Sequence, residues 1–322
     1  MSQFDKIWYL FRSAWLLFFF CISLILPAHA DTKEGLEIIV VLSKNTRPYQ
    51  RFYDQLETTL ISEMQQDIRF HVFHKNISES ISELHNADIN PDFIITVGTL
   101  AMRKTIEIDI SAPVIFSLIP AASYQHNIQK NNHCRTKGRC SAVYLEQPID
   151  RQFSIIKKGL PGIQRLGIIL GSTSAALRDS INRAGEKYQI DVRIKQAGKN
   201  DNIIMLTDSL SKTTEALLAI PDPDIYNRRT AKGILINTYK YRIPFIAYSH
   251  GFVRAGALFS IYSTPEQIAR QTGMMLIRAT LSPVNKLPLP EYPDSFKVEI
   301  NPAVMRSLRD IINFDDSILD NQ

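Results

Sequence analysis

Two nearly equal spacings between buried-strand segments constrain this chain more than any other feature. Leu36-Glu37-Ile38-Ile39-Val40-Val41-Leu42 is an almost unbroken apolar run, and Pro113-Val114-Ile115-Phe116-Ser117-Leu118-Ile119 begins 77 residues after it. Arg165-Leu166-Gly167-Ile168-Ile169-Leu170-Gly171 starts the series again, and Pro244-Phe245-Ile246-Ala247-Tyr248 closes it after 79 residues. Runs this apolar suit strands covered on both faces, as in a parallel sheet between layers of helices. The first run is followed by a helical stripe, with Tyr49, Phe52, Tyr53, Leu56, Leu60 and Met64 recurring at three and four. Further strands are expected at residues 68–73, 93–97, 191–197 and 216–220, and a helix carrying Leu177, Ile181 and Ala184 follows the third run. The fold class read from this alternation is α/β: two duplicated, Rossmann-like lobes with parallel central sheets.

The chain continues past the second set. Residues 257–262 read as another strand, and Thr264-Pro265-Glu266-Gln267 opens a helix with a capping box and a proline at its first position. Pro283, Pro288, Pro290 and Pro293 mark an extended linker before a last strand at 296–300 and a helix at 302–312. The simplest packing returns the first of these strand–helix pairs to the first lobe and the second pair to the second lobe.

The N-terminus carries Lys6 and Arg12, then an apolar run from Ala14 to Leu26, Pro27 and Ala28-His29-Ala30. This is the pattern of a secretory signal peptide, residues 1–30, cleaved before Asp31. The apolar run of 13 residues is shorter than the ~20 a spanning helix needs. Export to the periplasm is therefore expected. Three phenylalanines ahead of Cys21 exclude a lipobox. The chain carries a net charge of +5, scattered rather than concentrated. A basic face for nucleic acid is absent from that pattern.

Export leaves Cys134 and Cys140, close together in His133-Cys134-Arg135-Thr136-Lys137-Gly138-Arg139-Cys140. In an oxidising compartment this polar loop should close a disulfide. With His133 the two thiols lack a fourth ligand at finger spacing, so no metal site is expected there. His71 and His74 stand at odd spacing on a strand, on opposite faces, and cannot share an ion. The sequence contains no nucleophile elbow, phosphate-binding loop, dinucleotide fingerprint or zincin motif. Neither an enzyme nor a cofactor is expected.

In open parallel sheets ligands sit outside the carboxyl ends of the strands. The loops there contain Ser43 and Thr46, Thr99, Ser117, Ser172 and Thr173, Asp222, and Tyr248 with Phe252 four residues on. Hydroxyls and free N–H groups at helix starts suit a carboxylate. Tyr248, Phe252 and Tyr124 offer an aromatic wall, and Asp222 a partner for an amine. Ordinary helix capping accounts for the same Ser and Thr residues equally well.

Four stretches then resemble one family. Leu217-Leu218-Ala219-Ile220-Pro221-Asp222-Pro223, Phe252-Val253-Arg254-Ala255-Gly256-Ala257-Leu258, Pro265-Glu266-Gln267-Ile268-Ala269-Arg270-Gln271 and Glu299-Ile300-Asn301-Pro302-Ala303-Val304-Met305 are similar, in order, to signature stretches of a substrate-binding family of ABC transporters. Some of its members are receptors for aromatic amino acids. The resemblance implies a type I periplasmic-binding fold, with lobes joined by three crossovers and a small organic ligand clamped between them. Residues 31–142 with 254–283 would form the first lobe, and 143–253 with 284–322 the second. It also implies a monomeric receptor serving a membrane permease. The alternative is a sensory binding protein that signals to a membrane partner. The family usually continues its fourth strand with Asp-Pro-Val and a Gly-rich loop ending Thr-Gly. Ile119-Pro120-Ala121-Ala122-Ser123-Tyr124 and the Cys134–Cys140 loop stand here instead.

N-terminal sequencing of the secreted protein should return Asp31 as its first residue; Met1, or a lipidated Cys21, would refute the reading of the leader.

Overall fold

The computed structural model describes residues 35–64, 67–73, 90–108, 111–129, 131–282 and 285–321. The expected signal peptide and His74 lie outside the described residues.

Strands β1 (Leu36–Leu42), β2 (Ile68–Phe73), β3 (Phe93–Val97), β4 (Val114–Ile119) and β5 (Cys140–Tyr144) form one sheet in the order β2-β1-β3-β4-β5. All its pairings are parallel. A second sheet runs β11-β10-β9-β8-β6-β7. Its members are β6 (Arg165–Leu170), β7 (Asp191–Gln196), β8 (Ala216–Leu218), β9 (Phe245–Ala247), β10 (Phe259–Tyr262) and β11 (Lys297–Ile300). Only β11 is antiparallel to its neighbour. The central strands are buried along their length, as the unbroken apolar runs require.

Helices cover both sheets. They are α1 (Arg47–Glu63), α2 (Thr99–Thr105), α3 (Ala121–Ile128), α4 (Asn132–Arg135), α5 (Ile149–Gly159), α6 (Arg178–Tyr188), α7 (Ile203–Ser211), α8 (Ala231–Lys240), α9 (His250–Ala255), α10 (Pro265–Thr280) and α11 (Pro302–Leu308). The stripe read on α1 is its core face: Phe52, Leu56 and Leu60 are wholly buried. Helix α10 lies against α1 so closely that a Cβ on Gly273 would stand 3.0 Å from the Thr59 methyl. Its capping box is formed. The Gln267 N–H donates to the Thr264 hydroxyl, and the Thr264 N–H donates back to Gln267 Oε1 at 2.8 Å. Such a pair stabilises a helix start by about 1 kcal/mol.

Three features differ from the sequence reading. Phe259–Tyr262 was expected with the first lobe, but it extends the second sheet, pairing with β9 and β11. Only α10 crosses back to pack on the first sheet, because its apolar stripe, including Ile268, Met275 and Leu276, completes the core around α1 and β1. Strand β5 was not foreseen, and it runs to Tyr144, past the boundary expected at 142. Its Cys-Ser-Ala start reads as loop in isolation. The segment 285–291, expected with the second lobe, runs beside β5: the Leu287 and Glu291 N–H groups donate to Gly138 and Ala142, and Leu287 is buried in the first core.

The two layers are joined by three passages, at 145–148, 263–264 and 292–296. Side chains lace them together. Gln147 Nε2 donates to the Ser263 hydroxyl at 2.8 Å, which donates to the Ser295 carbonyl. Arg151 donates to Gln147 Oε1 and to the Pro293 carbonyl, and its guanidinium covers the Phe296 ring at 4.8 Å. Beside them Glu146 is buried. One of its oxygens accepts the Ala121 N–H at 2.7 Å; the other has no partner among the described residues. Burial pushes its carboxyl up to about 7.

Cys134 and Cys140 are bonded at an S–S distance of 2.04 Å, tying α4 to the start of β5. Peptide mapping without reductant should recover them linked, and free thiols would contradict the structure. The loop is short, so Cys134→Ala with Cys140→Ala should cost at most about 2 kcal/mol, a few degrees in melting temperature. Glu146 gives a second prediction. Its folded pKa is raised from 4.5 to about 7, so its favourable contribution is complete below 4.5 and is lost as pH rises to 7. The loss is about 3 kcal/mol. Denaturation across that window should show Glu146→Gln gaining on the parent as pH rises; parallel curves would refute it.

Candidate functional site

The direction of the strands decides which edges meet. β5 leaves the first sheet at its carboxyl edge and leads through 145–148 to α5; β10 leaves the second sheet at its carboxyl edge and leads to α10. β11, antiparallel to β10, begins at that same edge. Every passage therefore joins carboxyl edge to carboxyl edge, and the loops there line the space between the layers.

On the first sheet, Ser43 follows β1 and its hydroxyl accepts the Ala101 N–H at 2.9 Å. It also bonds to the Tyr49 hydroxyl, whose pKa is nonetheless raised by burial. Gly98 makes this contact possible. Its φ is +88°, and a Cβ there would stand 2.6 Å from Ser43 Oγ and 2.8 Å from the Tyr49 oxygen. Ser43 thus fastens β1 to α2 while keeping a half-buried position on the edge. Thr99 opens α2 half-buried, and Thr46 is exposed before α1 without capping it through its side chain. Ser117 is different: it is fully buried, its hydroxyl 2.8 Å from that of Thr272 on α10. It joins helix to sheet and has no free face, because α10 covers it. Tyr124, expected as an aromatic wall, is 4% exposed. It stacks between Phe116 and Tyr144, at 5.8 and 5.9 Å.

On the second sheet Asp222 requires a correction. It is 2% exposed. One carboxylate oxygen accepts both the N–H and the hydroxyl of Ser174, at 2.9 and 2.7 Å, and the other accepts the Asp224 N–H at 2.9 Å. These bonds clamp the loop after β6 to the loop after β8. The carboxylate is already satisfied and does not await an amine. Ser172 donates to Asp224 at the exposed rim, and Thr173 is half-buried beside it.

The aromatic residues converge. Tyr248 and Phe252 lie with ring centroids 5.3 Å apart, and Tyr226 stands edge-on to both, at 6.0 and 6.2 Å. Phe245 closes the base of the cluster, 5.7 Å from Phe252. The Tyr226 and Tyr248 hydroxyls make no hydrogen bond among the described residues, and burial followed by nearby Asp222 raises the pKa of Tyr248 well above its ordinary value. Both therefore remain neutral donors at physiological pH.

Sequence reasoning missed Tyr226, Leu118 and Glu146. Tyr226 is placed by the tight turn after Asp222, whose carbonyl accepts the Ile225 and Tyr226 N–H groups; the Asp-Pro-Asp turn composition is the signal that marks it. Leu118 has φ +53°, where the register of β4 against β5 shifts. A leucine in that region costs about 1–2 kcal/mol, strain placed at the carboxyl edge. Nothing in its residue type foretells it. Among the described residues no cluster of His, Cys, Asp or Glu could hold a metal ion.

The family model described as ABC transporter substrate binding protein matches residues 38–321. No curated protein matches the chain in sequence. Among solved structures, an ABC domain from Streptococcus pneumonia in complex with L-Trp is similar over 89% of this chain and 98% of its own, with 17% identity and a TM-score of 0.64. The ligand-free, open structure of a substrate-binding protein with adhesive properties from Clostridium difficile covers 85% of this chain and 95% of its own, at 17% identity and a TM-score of 0.65. A conserved domain protein from Vibrio cholerae matches with 15% identity over 89% of this chain and 98% of its own, at a TM-score of 0.64. These likenesses agree with the type I periplasmic-binding architecture of two mainly parallel sheets flanked by helices. The chain belongs to the ABC transporter substrate-binding protein family.

Proposed function

We propose that the protein is the extracytoplasmic receptor of an ABC importer, closing its layers over a small organic molecule with an aromatic or otherwise flat apolar part. The observation that carries this reading is the Tyr226–Tyr248–Phe252 cluster at the carboxyl edge of the second sheet. Rings held edge-to-face form a preformed apolar wall, and the two tyrosine hydroxyls add polar tips without net charge. The similar structure from Streptococcus pneumonia holds L-Trp, which supports a ligand of this kind. Opposite the wall, Ser43, Thr46 and Thr99 supply hydroxyls beside the first turns of α1 and α2, suited to a carboxylate. Thr173 does the same on the second layer, whereas the Ser172 hydroxyl is taken by Asp224. The passages at 145–148, 263–264 and 292–296 are then the hinge, with Gln147 at their crossing. The lobe boundaries follow the sheets: 36–144 with α10 and 285–291 on one side, 149–262 with the remaining C-terminal residues on the other.

Mass spectrometry of the molecule that co-purifies identifies the ligand, and calorimetric titration of variants with it tests the site. Tyr248→Ala and Phe252→Ala should each weaken binding by about tenfold to a hundredfold, since each removes stacked area and a ring from the wall. Thr99→Ala should weaken it by about fivefold or more through a lost hydrogen bond. Asp222→Ala should act differently, lowering the melting temperature of the apo protein because three bonds to the second-layer loops are lost. An unchanged affinity in Tyr248→Ala and Thr99→Ala together would overturn the inter-layer site.

A further inference from the structure

A second concavity lies on the second layer, away from the space between the sheets. It has a volume of ≈ 1030 Å³ and follows α8, between the turn after α9 and the last residues of α11. Arg242, Ile243 and Phe245 line it where β9 begins, as do Ala255 and Gly256 ahead of β10. These are amino ends of strands, so the concavity opens opposite the edge that carries Tyr248.

Its shape and charge restrict what can occupy it. Thr238, Phe245 and Leu308 line the floor of this slot and are only 3%, 2% and 5% exposed, so they show little of their surface to solvent. At the mouth Ile236 and Tyr239 are 55% and 79% exposed, an apolar rim left facing water. The charged residues around the slot are Arg228, Lys232, Lys240 and Arg242; no acidic side chain lines it. Lys240 is occupied by Asp208, and Arg242 reaches the Ser307 carbonyl at 3.4 Å. Arg228 and Lys232 form no ion pair among the described residues. Concave, mostly apolar surfaces with a few placed charges are the form of small-molecule sites, and uncompensated cations select an anion. A second copy of the chain docking symmetrically would set this cationic rim against itself. A hydrocarbon chain matches the apolar residues that line the slot along α8.

We infer that the slot binds a free long-chain carboxylate, its chain lying along α8 and its head between Arg228 and Lys232. Helix α8 has 10 residues and is about 15 Å long, the reach of an extended dodecanoate. This site is separate from the inter-layer one and does not depend on the identity of the transported solute.

The test is calorimetric titration of the mature protein with sodium dodecanoate below its micelle-forming concentration. The expected result is saturation at one equivalent, with affinity rising about fourfold for each methylene added between octanoate and dodecanoate. Arg228→Ala with Lys232→Ala should weaken binding several-fold, and dodecyltrimethylammonium should bind at least tenfold more weakly than dodecanoate. Ile236→Glu and Tyr239→Glu, at exposed positions that spare the fold, should abolish binding with an unchanged melting temperature. Absence of saturable binding, or equal binding by these variants, would overturn the inference. So would displacement of dodecanoate by the co-purified solute, which would place it between the layers. Three other outcomes assign the slot elsewhere and equally overturn it: a dimer dispersed by Ile236→Glu, an acidic amphipathic peptide that binds where dodecanoate does not, or attachment to anionic vesicles without affinity for the soluble carboxylate.

Discussion

Parallel pairing governs this molecule. A parallel strand ends at the opposite side of the sheet from where its successor begins, so each connection must cross back through a helix, and all the loops before helices collect on one edge. Both sheets here obey that rule, and the chain passes between them only at those edges. The site is therefore a consequence of connectivity before any particular side chain is considered. Gln147, Ser263 and Ser295 sit where the passages meet, and their hydrogen bonds hold separate stretches of chain to one crossing point.

The edges are built unequally. The first sheet presents small hydroxyl residues and backbone held in demanding conformations, with Gly98 left-handed to admit Ser43 and Tyr49, and Leu118 left-handed where β4 and β5 change register. The second presents large rings clustered around Phe252. A polar edge on one sheet and an aromatic one on the other are what the proposed receptor would need for a molecule that has both characters. Asp222 illustrates how a residue in a ligand-facing loop can serve the loop instead: its carboxylate is consumed by Ser174 and Asp224, which fixes the loops that carry the site without touching its contents.

Glu146 is the polar group that sits least comfortably in this arrangement. It is buried beside the passages between the layers, with one oxygen capping the start of α3 and the other without a partner among the described residues. The Ala121 N–H and its own N–H offset part of the cost of ionising it, and burial outweighs them. The crossing between the layers thus carries a carboxyl that burial holds well above its ordinary range.

The sequence by itself determined the strand–helix alternation, the duplicated halves, the apolar face of α1, the capping box at Thr264 and the proximity of Cys134 and Cys140. Each of these depends on neighbours within a few residues or on a periodicity, and such signals survive in one dimension. It also placed Tyr248 and Phe252 at a strand end, because that rule is topological. Only the tertiary structure decided which sheet receives β10, that β5 is a strand at all, and that 285–291 runs beside it. Those outcomes turn on backbone hydrogen bonds between segments far apart in the chain, which residue type does not encode. The same holds for the site. Ser117 and Asp222 have the residue types of ligand contacts, but Thr272 and Ser174 claim them. Tyr226 joins the aromatic cluster because a turn folds it back. Whether a polar side chain awaits a ligand depends on which partners already satisfy it, and that is known only once the chain is folded.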